Sequence, residues 1–247
     1  MKKLSISIKI YIGLIAVLSV VSAANIFLPQ GLLVPMQQLP ASKPIIAIVT
    51  AFIMIIFYGG LGFLGLTLSA KLGFAGLWDP EISNRQRFLI PGLIGAGTGI
   101  VFIITDLVMM NFHNLGPIPH PPFPTSITAS VSAGIGEEII FRLFFISFWT
   151  WFVSYVILKK RWQSQTFWVL TVLSALAFAF SHMPSIMYIF EFKTINEVPT
   201  ALMIEIIFLN GILSLFSAYY FKKYGFLAAV GIHFWTDIVW HVIRGII

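Results

Sequence analysis

The sequence predicts an all-α protein, a polytopic membrane bundle of seven or eight transmembrane helices around a membrane-embedded cavity. Three observations lead there. The 247 residues are 58% hydrophobic and only 10% charged, with a mean hydropathy of +0.95, whereas soluble domains carry about 25% charged residues. Seven apolar segments recur at the roughly 20-residue length that a bilayer-crossing helix needs. Ionisable side chains inside three of those segments would each cost roughly 2.5–3.5 kcal/mol at a lipid-facing helix centre, so they face an interior space or one another.

The first segment, 8–28, follows Lys2 and Lys3 and contains Val21-Ser22-Ala23, a pattern shared with signal peptides. Its apolar run continues through Ile26-Phe27-Leu28 with no polar cleavage region, so it reads as a retained helix. The second, 45–70, holds Gly59, Gly60, Gly62 and Gly65. The third, 88–111, holds Gly95 and Gly99, and small residues at such spacing let helices approach closely. The fourth, 126–157, is overlong and is expected to tilt, to kink near Gly134 and Gly136, or to split. Segments 167–190, 199–221 and 224–247 complete the set. The links are Pro29 to Pro44, Lys71 to Arg87, Asn111 to Thr125, Lys159 to Gln165 and Glu191 to Pro199. Pro117, Pro119, Pro121, Pro122 and Pro124 make the third link stiff and extended. It reads as a plain connector, with a cover over an active-site mouth as the alternative.

No link is long enough to fold alone, so residues 1–247 read as a single membrane domain. Basic residues sort by side. Lys2, Lys3, Lys9, Lys71, Arg85, Arg87, Lys159, Lys160, Arg161, Lys222 and Lys223 fall on one side, and only Lys43, Lys193 and Arg244 on the other. The amino terminus is therefore expected in the cytoplasm, with the carboxyl terminus outside the plasma membrane. The formal charge of +6 belongs to this topology rather than to nucleic-acid binding. Cysteine is absent, which excludes disulfides, a thiolate nucleophile and thiolate-held metal.

The ionisable groups carry the functional signal. In the fourth segment Glu138 and Arg142 lie four apart and can pair on one helix face. Glu137 is turned about 100° away and is left unpaired, so it needs a partner, a proton or water. The fifth segment brings His182. The seventh brings His233, Asp237 and His241 at i, i+4 and i+8, on one stripe. A carboxylate that activates water, with imidazoles that orient it or donate to an oxyanion, is what hydrolysis requires. Asp106, Glu205 and Asn210 read as packing or helix-end residues.

Three motifs, in order, resemble the CAAX prenyl protease and bacteriocin-processing (CPBP or Abi) family of intramembrane proteases. Glu137-Glu138-x3-Arg142 is similar to its EExxxR motif, Phe178-x3-His182 to its FxxxH, and His233-x3-Asp237 to its HxxxN or HxxxD. The resemblance covers the carboxyl-terminal half, about 126–247. It implies a helical bundle with a conical cavity and endopeptidase activity. Eukaryotic members trim prenylated CAAX proteins, and bacterial members are linked to bacteriocin processing or self-immunity. By motif, Glu137 activates water with His182, His233 and Asp237 form the oxyanion side, and Glu138 and Arg142 support them. Many members carry Asn at the position of Asp237. An ionised carboxylate cannot donate, so Asp237 either is protonated or only orients His233.

Members are often described as metalloproteases. No His-Glu-x-x-His pair is present. Glu137, His182, His233 and Asp237 offer zinc an oxygen and nitrogen site, or run metal-free glutamate chemistry with no cofactor, which is the favoured expectation. The expected partners are the bilayer and a peptide or membrane-protein substrate, lipidated or not, and no nucleic acid. The alternative is a non-catalytic bacteriocin-immunity or membrane binding protein on the same scaffold. A transporter is disfavoured, since no repeat or paired broken helix is seen.

Overall fold

The computed structural model describes residues 5–33 and 41–246. Expectations resting on Lys2, Lys3, residues 34–40 of the first link and Ile247 lie outside the described residues. Among the described residues, seven helices are long and apolar enough to cross a membrane. They are α1 (Ile6–Asn25), α2 (Lys43–Lys71), α3 (Arg85–His113), α4 (Thr125–Ile157), α5 (Gln163–Ile189), α6 (Thr200–Tyr224) and α7 (Phe226–Ile246). The protein is a multi-pass membrane bundle. Helix ends overrun the apolar windows where polar residues such as Arg85 and Gln163 continue the hydrogen-bonded backbone toward the interface.

The overlong fourth segment is one unbroken helix of 33 residues. It does not split at Gly134 or Gly136. It widens instead into π-helical turns over Ile139–Ile146 and Phe152–Ile157, a device that recurs at functional sites. Gly134 serves close approach, because a methyl group there would stand 3.2 Å from the Phe234 nitrogen of α7. The break falls in α5. Its first part ends at Ser181 and the chain restarts at Met183 after His182. Pro184 has no N–H to give the preceding turn, which interrupts the ladder there.

Side-chain contacts sort the helix ends into two faces. Thr128 Oγ1 donates to Asn25 Oδ1 at 2.7 Å, joining the end of α1 to the start of α4. His113 pairs with Glu205 at 3.2 Å on the same face. This is the link face, which carries residues 114–124. On the opposite face Gln163 Nε2 donates to Leu72 O at 2.7 Å, and Ala75 N donates to Lys222 O at 3.1 Å. The helices therefore alternate in direction.

The carboxyl-terminal helices form the centre. α7 packs on α3, α4 and α6, while α1 and α2 lean on the outside of α4. The α3–α7 seam is set by glycine. A methyl group on Gly95 would collide with the Ile232 carbonyl, and one on Gly99 with Val239 and the Thr236 carbonyl. Thr236 Oγ1 donates to Gly95 O at 3.1 Å and to its own Ile232 O at 2.9 Å. This seam turns Ile232 and Thr236 toward α3. It fixes the rotation of α7, which places His233 and Asp237 elsewhere on its circumference.

Gly95→Val should therefore lower stability by about 1–3 kcal/mol, the usual cost of overpacking. Gly97, where a methyl group would meet nothing within 4 Å, is the control. Thermal unfolding in detergent checks this, with Gly97→Val expected to melt like the wild type.

Candidate active site

Glu138 is the centre of a fully buried polar cluster. Its Oε1 lies 3.3 Å from Arg142 Nη1 and accepts the Nδ1–H of His233 at 2.8 Å. Both Glu138 and Arg142 are 0% exposed. Arg142 Nη2 donates to Ser214 Oγ of α6 at 2.7 Å, and the guanidinium sits 4.6 Å from the centre of the Phe178 ring. One carboxylate thus ties α4 to α7, while its cation ties α4 to α5 and α6. A buried pair survives only when its remaining hydrogen-bonding groups also find partners, and Ser214 and His233 supply part of that.

Phe178 joins the three motifs. It packs edge-on against His182 at 4.9 Å, His233 at 5.7 Å and Phe141 at 5.1 Å. In the sequence this residue belongs to a motif without a role of its own. Its role is visible only when the rings it separates are in place.

Glu137 behaves differently from its neighbour. Its side chain is 36% exposed, and its Oε2 has no hydrogen-bond partner among the described residues. That oxygen lies 3.6 Å from His233 Nε2, and Asp237 Oδ2 lies 3.6 Å from the same nitrogen. Both distances exceed a hydrogen bond. His182 Nδ1–H donates to Phe178 O at 2.8 Å. In the neutral ring this leaves Nε2 as an open acceptor.

Glu137, His182, His233, Asp237 and His241 line one cavity of about 190 Å³. The other walls are aliphatic or aromatic, including Phe102, Ile186, Leu209 and Trp240. Asn210 also lines it, which differs from its reading as a packing residue. Its Nδ2 donates to Ile206 O at 2.8 Å, which accounts for one of its two N–H groups. Ile206, Leu209, Asn210 and Leu213 fall at helical spacing on one face of α6, so the polar interruption of that face was the available signal.

The proline-rich link is not a plain connector. Ile118 and Pro119 form part of the cavity wall. Asp106 Oδ1 accepts the Ile118 N–H at 2.9 Å and anchors the link to α3. Asp106 and Glu205 are both fully buried and lie off the cavity wall. His120 Nδ1 lies 3.1 Å from His241 Nδ1, so one donates and the other accepts. Burial and the nearby Arg244 guanidinium hold the His120 imidazole down at about 4, which keeps it neutral at ordinary pH.

Among the described residues, no three His, Asp or Glu side chains are placed to hold a metal ion.

Arg142→Met should strand a buried carboxylate and lower stability by about 3–5 kcal/mol, whereas the double change Glu138→Gln with Arg142→Met should recover much of that loss. Unfolding midpoints of the single and double variants check the coupling.

Residues 119–239 match the family model described as type II CAAX prenyl endopeptidase, Rce1-like. No curated protein and no solved structure matches the chain. The matched segment begins in the proline-rich link and ends in α7, so it contains all three motifs. Residues 119–239 are therefore similar to the Rce1-like type II CAAX prenyl endopeptidases, in agreement with the resemblance that the three motifs carry.

Proposed function

We propose that this protein is an intramembrane endopeptidase that hydrolyses a peptide bond with a water activated by Glu137 and His182. The observation that supports it is the convergence of Glu137, His182, His233 and Asp237, from three helices, on one cavity in which Glu137 Oε2 holds no hydrogen bond among the described residues.

The shared cavity and the open Nε2 of His182 support the following sequence of steps. A water between Glu137 and His182 gives one hydrogen bond to each, to a carboxylate oxygen and to the free Nε2. Glu137 takes the proton as the oxygen attacks the scissile carbonyl. The oxyanion forms beside His233, whose Nδ1–H is held by Glu138. In its protonated form His233 presents Nε2–H to that oxygen. Glu137 then returns the proton to the leaving amine as the carbon–nitrogen bond breaks. At 3.6 Å from Nε2, Asp237 acts as a charge partner of His233 rather than as an oxyanion donor.

The substrate is a peptide or the tail of a membrane protein, with or without a lipid. The apolar walls suit a hydrophobic segment. We place the protein in the plasma membrane with its amino terminus in the cytoplasm, on the strength of the basic-residue distribution.

Purified protein in liposomes, assayed against a peptide library with and without chelator, tests this. Glu137→Gln should lose about 10²–10⁴-fold in turnover, the usual contribution of a general base. Its melting temperature should be unchanged, because Glu137 Oε2 has no hydrogen bond to lose among the described residues. Activity in Glu137→Gln equal to wild type would refute the assignment, and loss of wild-type activity to chelator would refute the metal-free route.

A further inference from the structure

A hydrolase inside a bilayer must be supplied with water, and α1 bears on that supply although it lies outside the matched segment. α4 carries Thr125, Thr128 and Ser132 at successive helical turns above Glu137. Each meets a polar group at or near the end of α1. Thr125 Oγ1 donates to Pro29 O, Thr128 Oγ1 to Asn25 Oδ1 at 2.7 Å, and Ser22 Oγ to Ser132 Oγ at 3.3 Å. The series runs from the link face into the membrane. At 1.5 Å per residue, Thr125 to Glu137 spans about 18 Å.

Hydroxyl pairs between helices often serve packing alone. Here they end in space. Below the last pair, Ser22, Ser132, Tyr58 and Glu137 line a second cavity of about 320 Å³ between α1, α2 and α4. That is room for several water molecules at the roughly 30 Å³ each occupies in the liquid. Glu137, Ala129 and Ala133 line this cavity and the catalytic one alike, so the two meet at the carboxylate. The Glu137 side chain is more than a third exposed while its Oε2 is buried with no hydrogen-bond partner among the described residues, and a carboxyl so placed in a lipid-buried span needs solvent or a proton.

We propose that water reaches Glu137 along the α1–α4 seam, from the link face past Asn25 and Thr128, then Ser22 and Ser132, into the Tyr58 cavity. The inference rests on the hydrolase reading for its purpose. It divides the site in two: solvent arrives on the hydroxyl side of Glu137, and the apolar substrate occupies the side walled by α5, α6 and α7. Glu137 stands at the junction, where it takes a proton from the arriving water and directs the oxygen at the substrate.

The chain has no cysteine, so any introduced thiol is the single one. Ser22→Cys and Ser132→Cys in proteoliposomes should react with a charged, water-soluble methanethiosulfonate at least about tenfold faster than Val20→Cys, since thiolate forms only where water reaches. Val20 is the control because it sits on the lipid face of α1, 67% exposed. Ser132→Val should lower turnover about fivefold to tenfold, with KM and melting temperature unchanged, as the loss of one solvent hydrogen bond predicts. Thiols at 22 and 132 that react no faster than at Val20 would overturn the route. So would a rise in KM without a fall in turnover for Ser132→Val, which would mark the seam as a substrate passage. Glu137→Gln that keeps full activity overturns the hydrolase reading, whatever the thiols do.

Discussion

One carboxylate organises this molecule. Glu138 is fully buried, and its Oε1 serves both Arg142 on its own helix and His233 on α7. In lipid such an oxygen has no water to fall back on, so its partners define where α4 and α7 must sit. Arg142 then reaches Ser214 and the Phe178 face, which brings α6 and α5 to the same point. Four helices are referenced to one ionic cluster, and the polar groups that line the cavity are carried on that frame. Glu137, the preceding residue, is rotated off the cluster and left to the cavity. Adjacent carboxylates thus differ: Glu138 holds the helices together, while Glu137 Oε2 has no hydrogen-bond partner among the described residues, which suits the general-base role proposed for it.

The bilayer explains why the rest of the fold takes this form. Between helices in lipid there is little hydrophobic drive, so close contact and hydrogen bonds hold the bundle. The glycines of α3 allow α7 to come near enough for Thr236 to reach Gly95 O. That contact fixes the turn of α7, and the turn decides that His233 faces Glu138. α1 and α2 bury little of themselves and seal the outside of α4. Their polar residues, set where lipid would otherwise be, acquire meaning only beside Glu137.

Much of this was legible in the sequence because lipid makes polar groups conspicuous. Seven helices followed from length and hydropathy, and the Glu138–Arg142 pair from a four-residue spacing. The separate status of Glu137 followed from the same helix geometry. What stayed hidden depends on contacts between distant segments. Nothing local says that Phe178 separates Arg142, His182 and His233. Pro184 was a readable sign that α5 breaks at His182, but an apolar run on both sides masked it. The proline-rich link read as a connector, since its tie to Asp106 joins residues twelve apart through a turn the sequence does not specify. Asn210 and the hydroxyls of α1 are polar residues of modest cost in a membrane, so they do not stand out as charges do.

Glu138 holds His233 through Nδ1–H and so presents Nε2 to the cavity; the site stands or falls with that bond. Nitrogen NMR on protein with ¹⁵N-labelled histidine, in wild type and Glu138→Gln, measures it directly. The expected result is a strongly hydrogen-bonded Nδ1 proton on His233 that is weakened or lost in the variant, with the His182 signals little changed. A His233 spectrum identical in the two proteins would contradict it.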